Sequence, residues 1–199
     1  MRSSEAATKQ LEPSDRRRLI DLARRAVEAA VRRETGDDIA FRPTPSVAEP
    51  AAAFVTLREH GRLRGCIGLL RFDVPLWLNV REAAVAAALH DPRFHPVGES
   101  ELPVLEIEVS VLEPPVEIRD AAAFEAGRHG IVVERNGRRA LLLPQVAGEM
   151  GWGSGEMLEA VCRKAGLAGD AWRDAGTRLL VFEASYFGDS EKAGPEAPG

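Results

Sequence analysis

The segment Leu63-Arg64-Gly65-Cys66-Ile67-Gly68 places a thiol two residues from a guanidinium and flanks it with glycine. If the segment is a strand, alternation puts Arg64 and Cys66 on one face and Leu63, Ile67 and Leu69 on the other. A cationic neighbour favours thiolate over thiol, so Arg64 is positioned to lower the proton affinity of Cys66 and make it nucleophilic. Gly65 and Gly68 remove side chains on either side and open the backbone to a ligand or another chain. A plainer explanation uses the same residues. Free cysteine is often a small buried filler, and glycine in a strand often marks a bulge or a close packing contact. Cys162, the other cysteine, falls with Leu158, Val161 and Ala165 on one helical face and reads as core.

A nucleophile needs a proton acceptor, and none is obvious. His60, His90, His95 and His129 all fit ordinary surface or turn positions. Glu108, on the polar side of an alternating strand, is the candidate acid or base. The loop His90-Asp91-Pro92-Arg93-Phe94-His95-Pro96 is stiffened by two prolines. Asp91 and Arg93 are therefore held in place, either as a substrate-binding pair with Arg93 clamping an anion, or as a local cap and structural ion pair. Gly151-Trp152-Gly153-Ser154-Gly155 lacks the lysine and hydroxyl spacing of a phosphate loop, and Ser154 as a helix cap explains it more simply. No metal-type spacing joins the cysteines and histidines. Neither a metal nor a cofactor is expected.

The elements that must hold these residues follow from periodicity and turn chemistry. A helix is expected from just after Ser14 to about Thr35, with Leu19, Leu22, Ala23, Ala26, Val27 and Ala30 inward and an arginine-rich outer face. Strands at 53–59 and 63–70 flank a His60-Gly61 turn, and Pro75 opens a helix that continues to His90. Leu105 to Leu112 alternates as a strand. Strands at 130–135 and 138–143 flank Asn136-Gly137, a helix follows over 155–164, and a last strand spans 179–187. Hairpin, helix, strand thus occurs twice. Arg64 and Arg139, Glu108 and Glu183, and Ser110 and Ser185 each stand 75 positions apart, which points to an internal duplication.

The 199 residues suit one generous domain, here 14–188, with mobile segments at 1–13 and 189–199. A formal net charge of -5 removes any long-range attraction for phosphate backbones or anionic lipid. The start of the sequence has no secretory apolar stretch, and the apolar run 83–89 is far short of a membrane span. A soluble, cytoplasmic protein with no membrane or nucleic-acid partner is expected.

Leu63 to Gly68 resembles the signature of the AMMECR domain family. The similarity continues through Pro75-Leu76, Asp91-Pro92-Arg93-Phe94, Glu101-Leu102, 107–112, 143–147, Trp152 and 162–167. It spans residues 15–188, though Gly153 and Gly155 stand where relatives usually carry polar or acidic residues. The resemblance implies an α+β fold with two related halves around a curled, mostly antiparallel sheet flanked by helices. Similar bacterial and archaeal proteins are protein A of the AmmeMemoRadiSam system. Its other parts, a Memo-like protein and a radical S-adenosylmethionine enzyme, are the implied partners. No reaction or substrate, small molecule or protein, comes with the resemblance. It points to Arg64, Gly65, Cys66 and Gly68 as the functional stretch. The readings it leaves are an enzyme component using Cys66 and a non-catalytic adaptor binding those partners.

Overall fold

The computed structural model describes residues 11–34 and 40–189. The expected mobile segments lie outside the described residues apart from their inner ends. There Leu11 is buried, and Asp189 donates its N–H to the Ile107 carbonyl at 3.1 Å.

The described chain divides into two compact units. The first comprises residues 11–111 and 185–189, and the second 112–184. Each is α+β, with a four-stranded sheet and helices. The eight strands form two sheets where the resemblance implied one.

The first unit begins with α1 (Pro13–Arg32). It starts earlier than the Ser14 cap implied, because Pro13, whose ring presets helical φ and whose missing N–H is not needed there, takes the first turn. It stops at Arg33, which takes the left-handed conformation at φ 58 and ends the helix before Thr35. After a single turn, α2 (Pro45–Ala48), the hairpin β1 (Ala52–Glu59) and β2 (Arg62–Leu69) closes over His60 and Gly61. Both turn residues have positive φ, 50 and 74, as a two-residue turn matched to strand twist requires. Helix α3 (Leu76–Leu89) and β3 (Leu105–Leu112) follow, with a short 3-10 helix at Glu99–Val104 between them.

Alanine dominates the helix faces in the core. Ala23 and Ala26 of α1 join Ala83, Ala84, Ala87 and Ala88 of α3 in one apolar cluster with Val55, Leu57, Ile107 and Val109 of the sheet. Such small side chains allow backbones to approach closely. At Gly65 a Cβ would run into the Ala87 carbonyl oxygen, so α3 lies directly against β2 there.

The second unit has β4 (Val116–Ile118), β5 (Gly130–Arg135) and β6 (Arg138–Leu142), then α4 (Gln145–Met150), α5 (Ser154–Lys164) and β7 (Arg178–Phe182). Its core gathers Ile131, Val133, Met157, Leu158, Val161 and Cys162. Ser154 is not the cap of α5. Gly153 takes that place, and its N–H goes to Glu156 Oε2 at 3.1 Å. The Ser154 hydroxyl instead binds the Phe124 carbonyl and the Ala126 N–H, at 3.1 and 3.2 Å.

The expected last strand breaks at Glu183 into β7 and β8 (Ala184–Gly188), which join different sheets. The strand orders are β2-β1-β3-β8 and β6-β5-β7-β4. Each hairpin therefore has its third strand beside its first, and the short strand after β3 pairs with β7 while the one after β7 pairs with β3. The repeated hairpin-helix-strand order is visible in this topology.

Candidate functional site around Cys66

β2 is an edge strand, so its outward backbone groups have no neighbouring strand to bond. At Cys66 that need is met by two side chains. The Cys66 N–H donates to Asp91 Oδ2 at 2.8 Å, and the Cys66 carbonyl accepts from Arg93 Nη2 at 3.2 Å. Asp91 and Arg93 grip each other as well, with Nε to Oδ1 at 2.9 Å and Nη2 to Oδ2 at 2.6 Å. An ion pair thus replaces the residue that a further strand would have supplied. Pro92 makes the geometry possible by keeping the two charged residues in one tight turn, where Oδ1 also accepts the Arg93 N–H at 3.1 Å.

Asp91 is almost fully buried, with 2% of its side chain exposed. The Arg93 guanidinium holds its carboxyl down at about 2, against the opposing effect of burial, and the Cys66 and Arg93 N–H groups assist. Arg93 is pushed above its ordinary value, first by Asp91 and further by the Cys66 sulfur.

The side chain of Cys66 lies on the sheet face away from α1 and α3. A bulge puts it there. The pairs Glu59–Arg62 and Arg58–Leu63 follow the turn directly, but the register then slips, so that Leu57 faces Gly65 and Thr56 faces Cys66. Val55 and Leu57 belong to the core, which leaves Thr56 and Cys66 on the opposite face. The Thr56 hydroxyl donates to Cys66 Sγ at 3.3 Å, and the residue is half-buried. Leu63, expected beside Ile67 and Leu69, is carried by the bulge to the Arg58 side and is exposed.

Arg64 is the extra residue of the bulge, and its guanidinium goes to Glu101. Nε meets Oε1 at 2.6 Å and Nη2 meets Oε2 at 3.2 Å. Glu101 also accepts the Gly98 N–H at 2.7 Å, which fixes the carboxylate at the start of its 3-10 helix. Arginine is the main cause holding the Glu101 carboxyl below its usual range. The ring of Phe94 lies 5.9 Å from the Arg64 guanidinium and 5.5 Å from that of Arg93. Segments 63–68, 91–94 and 101–102 therefore meet along one strand edge.

Three sequence expectations change here. The guanidinium engaged with Cys66 is that of Arg93, because Glu101 holds Arg64. The backbone at Gly65 does not open to a ligand, because the Ala87 carbonyl of α3 fills the space a side chain would take. Gly68 is likewise covered, by the ring of Phe54. Glu108 lies between Ile107 and Val109 of the core, so alternation puts it on the Thr56 and Cys66 face, two strands from β2. Thr56, Phe94 and Glu101 were not singled out from the sequence as parts of the site.

The second cysteine is different in kind. Cys162 is fully buried in the α5 core, and desolvation pushes its thiol up. Among the described residues no group of three or more His, Cys, Asp or Glu side chains is placed to hold a metal ion. No helix among them is long and apolar enough to cross a membrane.

The fold and site define an α+β protein of two hairpin-helix-strand units, with one cysteine whose backbone is clamped at a sheet edge by an aspartate–arginine pair. The chain belongs to the AMMECR1 family, whose model matches residues 20–187. It is 43% identical over 187 residues to Protein MK0488 of Methanopyrus kandleri, covering 89% of each chain. It is 40% identical over 190 residues to a protein of Thermococcus onnurineus, covering 89% of this chain and 91% of that one. The crystal structure of the uncharacterised protein PH0010 from Pyrococcus horikoshii matches with a TM-score of 0.84 and 37% identity, covering 93% of this chain and 96% of that one.

Proposed function

We propose that Cys66 is the reactive group of this protein, acting as a nucleophile or covalent acceptor in an enzyme or enzyme component. The observation that carries this reading is the convergence of the Thr56 hydroxyl and the Arg93 guanidinium on the thiol of a half-buried residue. A donor and a cation both favour the thiolate, which is the form that attacks. In that form the sulfur's electron pair forms the bond to an electrophilic carbon of the substrate, and a leaving group departs from that carbon with its bonding electrons or the carbon's π pair moves onto its attached oxygen. Asp91 fixes Arg93, and through the Cys66 N–H it also fixes the strand that presents the sulfur. Glu108 lies on β3, two strands from Cys66, so its place in the reading is as an acid or base acting on bound substrate rather than on the thiol itself. The family resemblance to protein A of the AmmeMemoRadiSam system supports a Memo-like protein and a radical S-adenosylmethionine enzyme as partners, in the cytoplasm.

The test is mass spectrometry of the protein purified from its own cells with the neighbouring gene products. A covalent adduct on Cys66 that disappears in Cys66→Ser, with the fold retained, is the expected result. A bare thiol under all conditions, with unchanged cellular function in Cys66→Ser, would remove the proposal.

A second reading has one observation in its favour. Leu63, displaced by the bulge, is a large apolar side chain exposed on the Cys66 side of the hairpin. This suits a non-catalytic adaptor that docks its partners through 63–70. Under that reading Leu63→Asp abolishes co-purification, and Cys66→Ser has no effect.

A further inference from the structure

The Arg93 guanidinium has five N–H donors in a planar fork. Asp91 and the Cys66 carbonyl occupy those on Nε and Nη2. Nη1 takes no part in these bonds, and 54% of the side chain is exposed. An arginine anchored along one edge and open along the other is preorganised for an oxygen anion, because the usual loss of side-chain freedom has already occurred. The rigid loop holds this open edge beside the cysteine. The buried carboxylate of Asp91 reduces the net positive charge, so the attraction is short-ranged and directional rather than a broad field.

We infer that Nη1 of Arg93 is an anion-binding edge for the substrate of Cys66, which is an electrophile bearing a carboxylate or another oxygen anion close to the reacting carbon. This rests on the reading of Cys66 as a nucleophile and adds the chemical class on which it acts. The acetate and acetamide alkylating reagents make a minimal pair. Iodoacetate carries the anion and iodoacetamide does not, while each gives the same reaction: the thiolate sulfur bonds to the methylene carbon and iodide leaves with the bonding electrons.

Both rates are measured at Cys66 by peptide mass spectrometry, in wild type and in Arg93→Gln, with glutathione as the unstructured reference. The ratio of the two rates cancels any change in thiolate fraction. The expected iodoacetate-to-iodoacetamide ratio is about fivefold above that of glutathione, the scale of one exposed charged contact, and it returns to the glutathione value in Arg93→Gln. In the wild-type protein, inorganic phosphate or acetate should slow iodoacetamide at Cys66. This arm needs no substitution and stands even where Arg93→Gln unfolds. Rapid labelling with the glutathione ratio, unaffected by Arg93→Gln or by added anions, overturns the anion edge and leaves the nucleophile intact. No labelling by either reagent overturns both.

Discussion

The two hairpins of this chain share their turn chemistry and diverge two residue pairs beyond the turn. His60-Gly61 and Asn136-Gly137 both take positive φ at both positions. After Asn136-Gly137 the pairing runs without interruption from Arg135–Arg138 to Ile131–Leu142. After His60-Gly61 one additional residue, Arg64, enters as a bulge. The turns stand 76 positions apart and the residues beyond the bulge 75, so Cys66 corresponds to Leu141. Leu141 is buried, pairs with Val132, and has its carbonyl capped by Lys164 Nζ at 3.0 Å. Cys66 is half-buried, pairs with Thr56, and has its carbonyl capped by Arg93. Both edge strands thus use a cationic side chain to satisfy the same kind of carbonyl. Only in the first unit does the capped residue carry a thiol, a hydroxyl opposite it, and a carboxylate on its N–H. One scaffold holds an apolar packing residue in one place and a thiol with polar partners in the other.

The largest effect that would break this comparison is on stability. Leu141→Ala should cost about 3 kcal/mol, the usual penalty for removing a buried leucine, whereas Cys66→Ser should cost about 1 kcal/mol or less. Urea unfolding of the two variants checks this. Equal penalties would make Cys66 a filler like its counterpart.

Next is the clamp. The Asp91 carboxyl is held at about 2, below its unfolded value of about 3.9, so it favours the folded state above pH 4. The contribution, about 2 kcal/mol, is lost as pH falls from about 4 towards 2. Asp91→Asn should be less stable than wild type at pH 7 by a similar amount, and the difference should shrink through that window. An undiminished difference at pH 2 would show that the carboxylate charge is not what holds the loop.

A smaller effect concerns Arg64. Glu101→Gln leaves Arg64 a poorer partner and should cost about 1 kcal/mol while the rate of Cys66 alkylation stays within twofold of wild type. A large fall in that rate would restore Arg64 as the cation that activates the thiol.

Much of this architecture was legible because it rests on local rules. The two hairpin turns, the alternation of 105–112 and the helical face of Cys162 follow from glycine chemistry and periodicity. The bulge was not legible. Counting back from His60-Gly61 without it puts core residue Val55 opposite Cys66, and the slip of one residue exchanges Val55 for Thr56. Two-residue alternation gave Arg64 and Cys66 a shared task for the same reason. Glu101 stands within the family resemblance, but its pairing with Arg64, 37 positions earlier, could be found only through tertiary contact. The break at Glu183 was equally hidden, because 179–187 reads as one continuous strand while its two pieces join different sheets.

The most direct test is the pH dependence of iodoacetamide modification at Cys66 in the folded wild-type protein. With Thr56 and Arg93 both favouring the thiolate, the rate should rise to its plateau with a midpoint clearly below about 8.5, the ordinary thiol value. A midpoint at or above that value, or a rate limited by global unfolding, would contradict the account and return the thiol to the packing role that Leu141 fills.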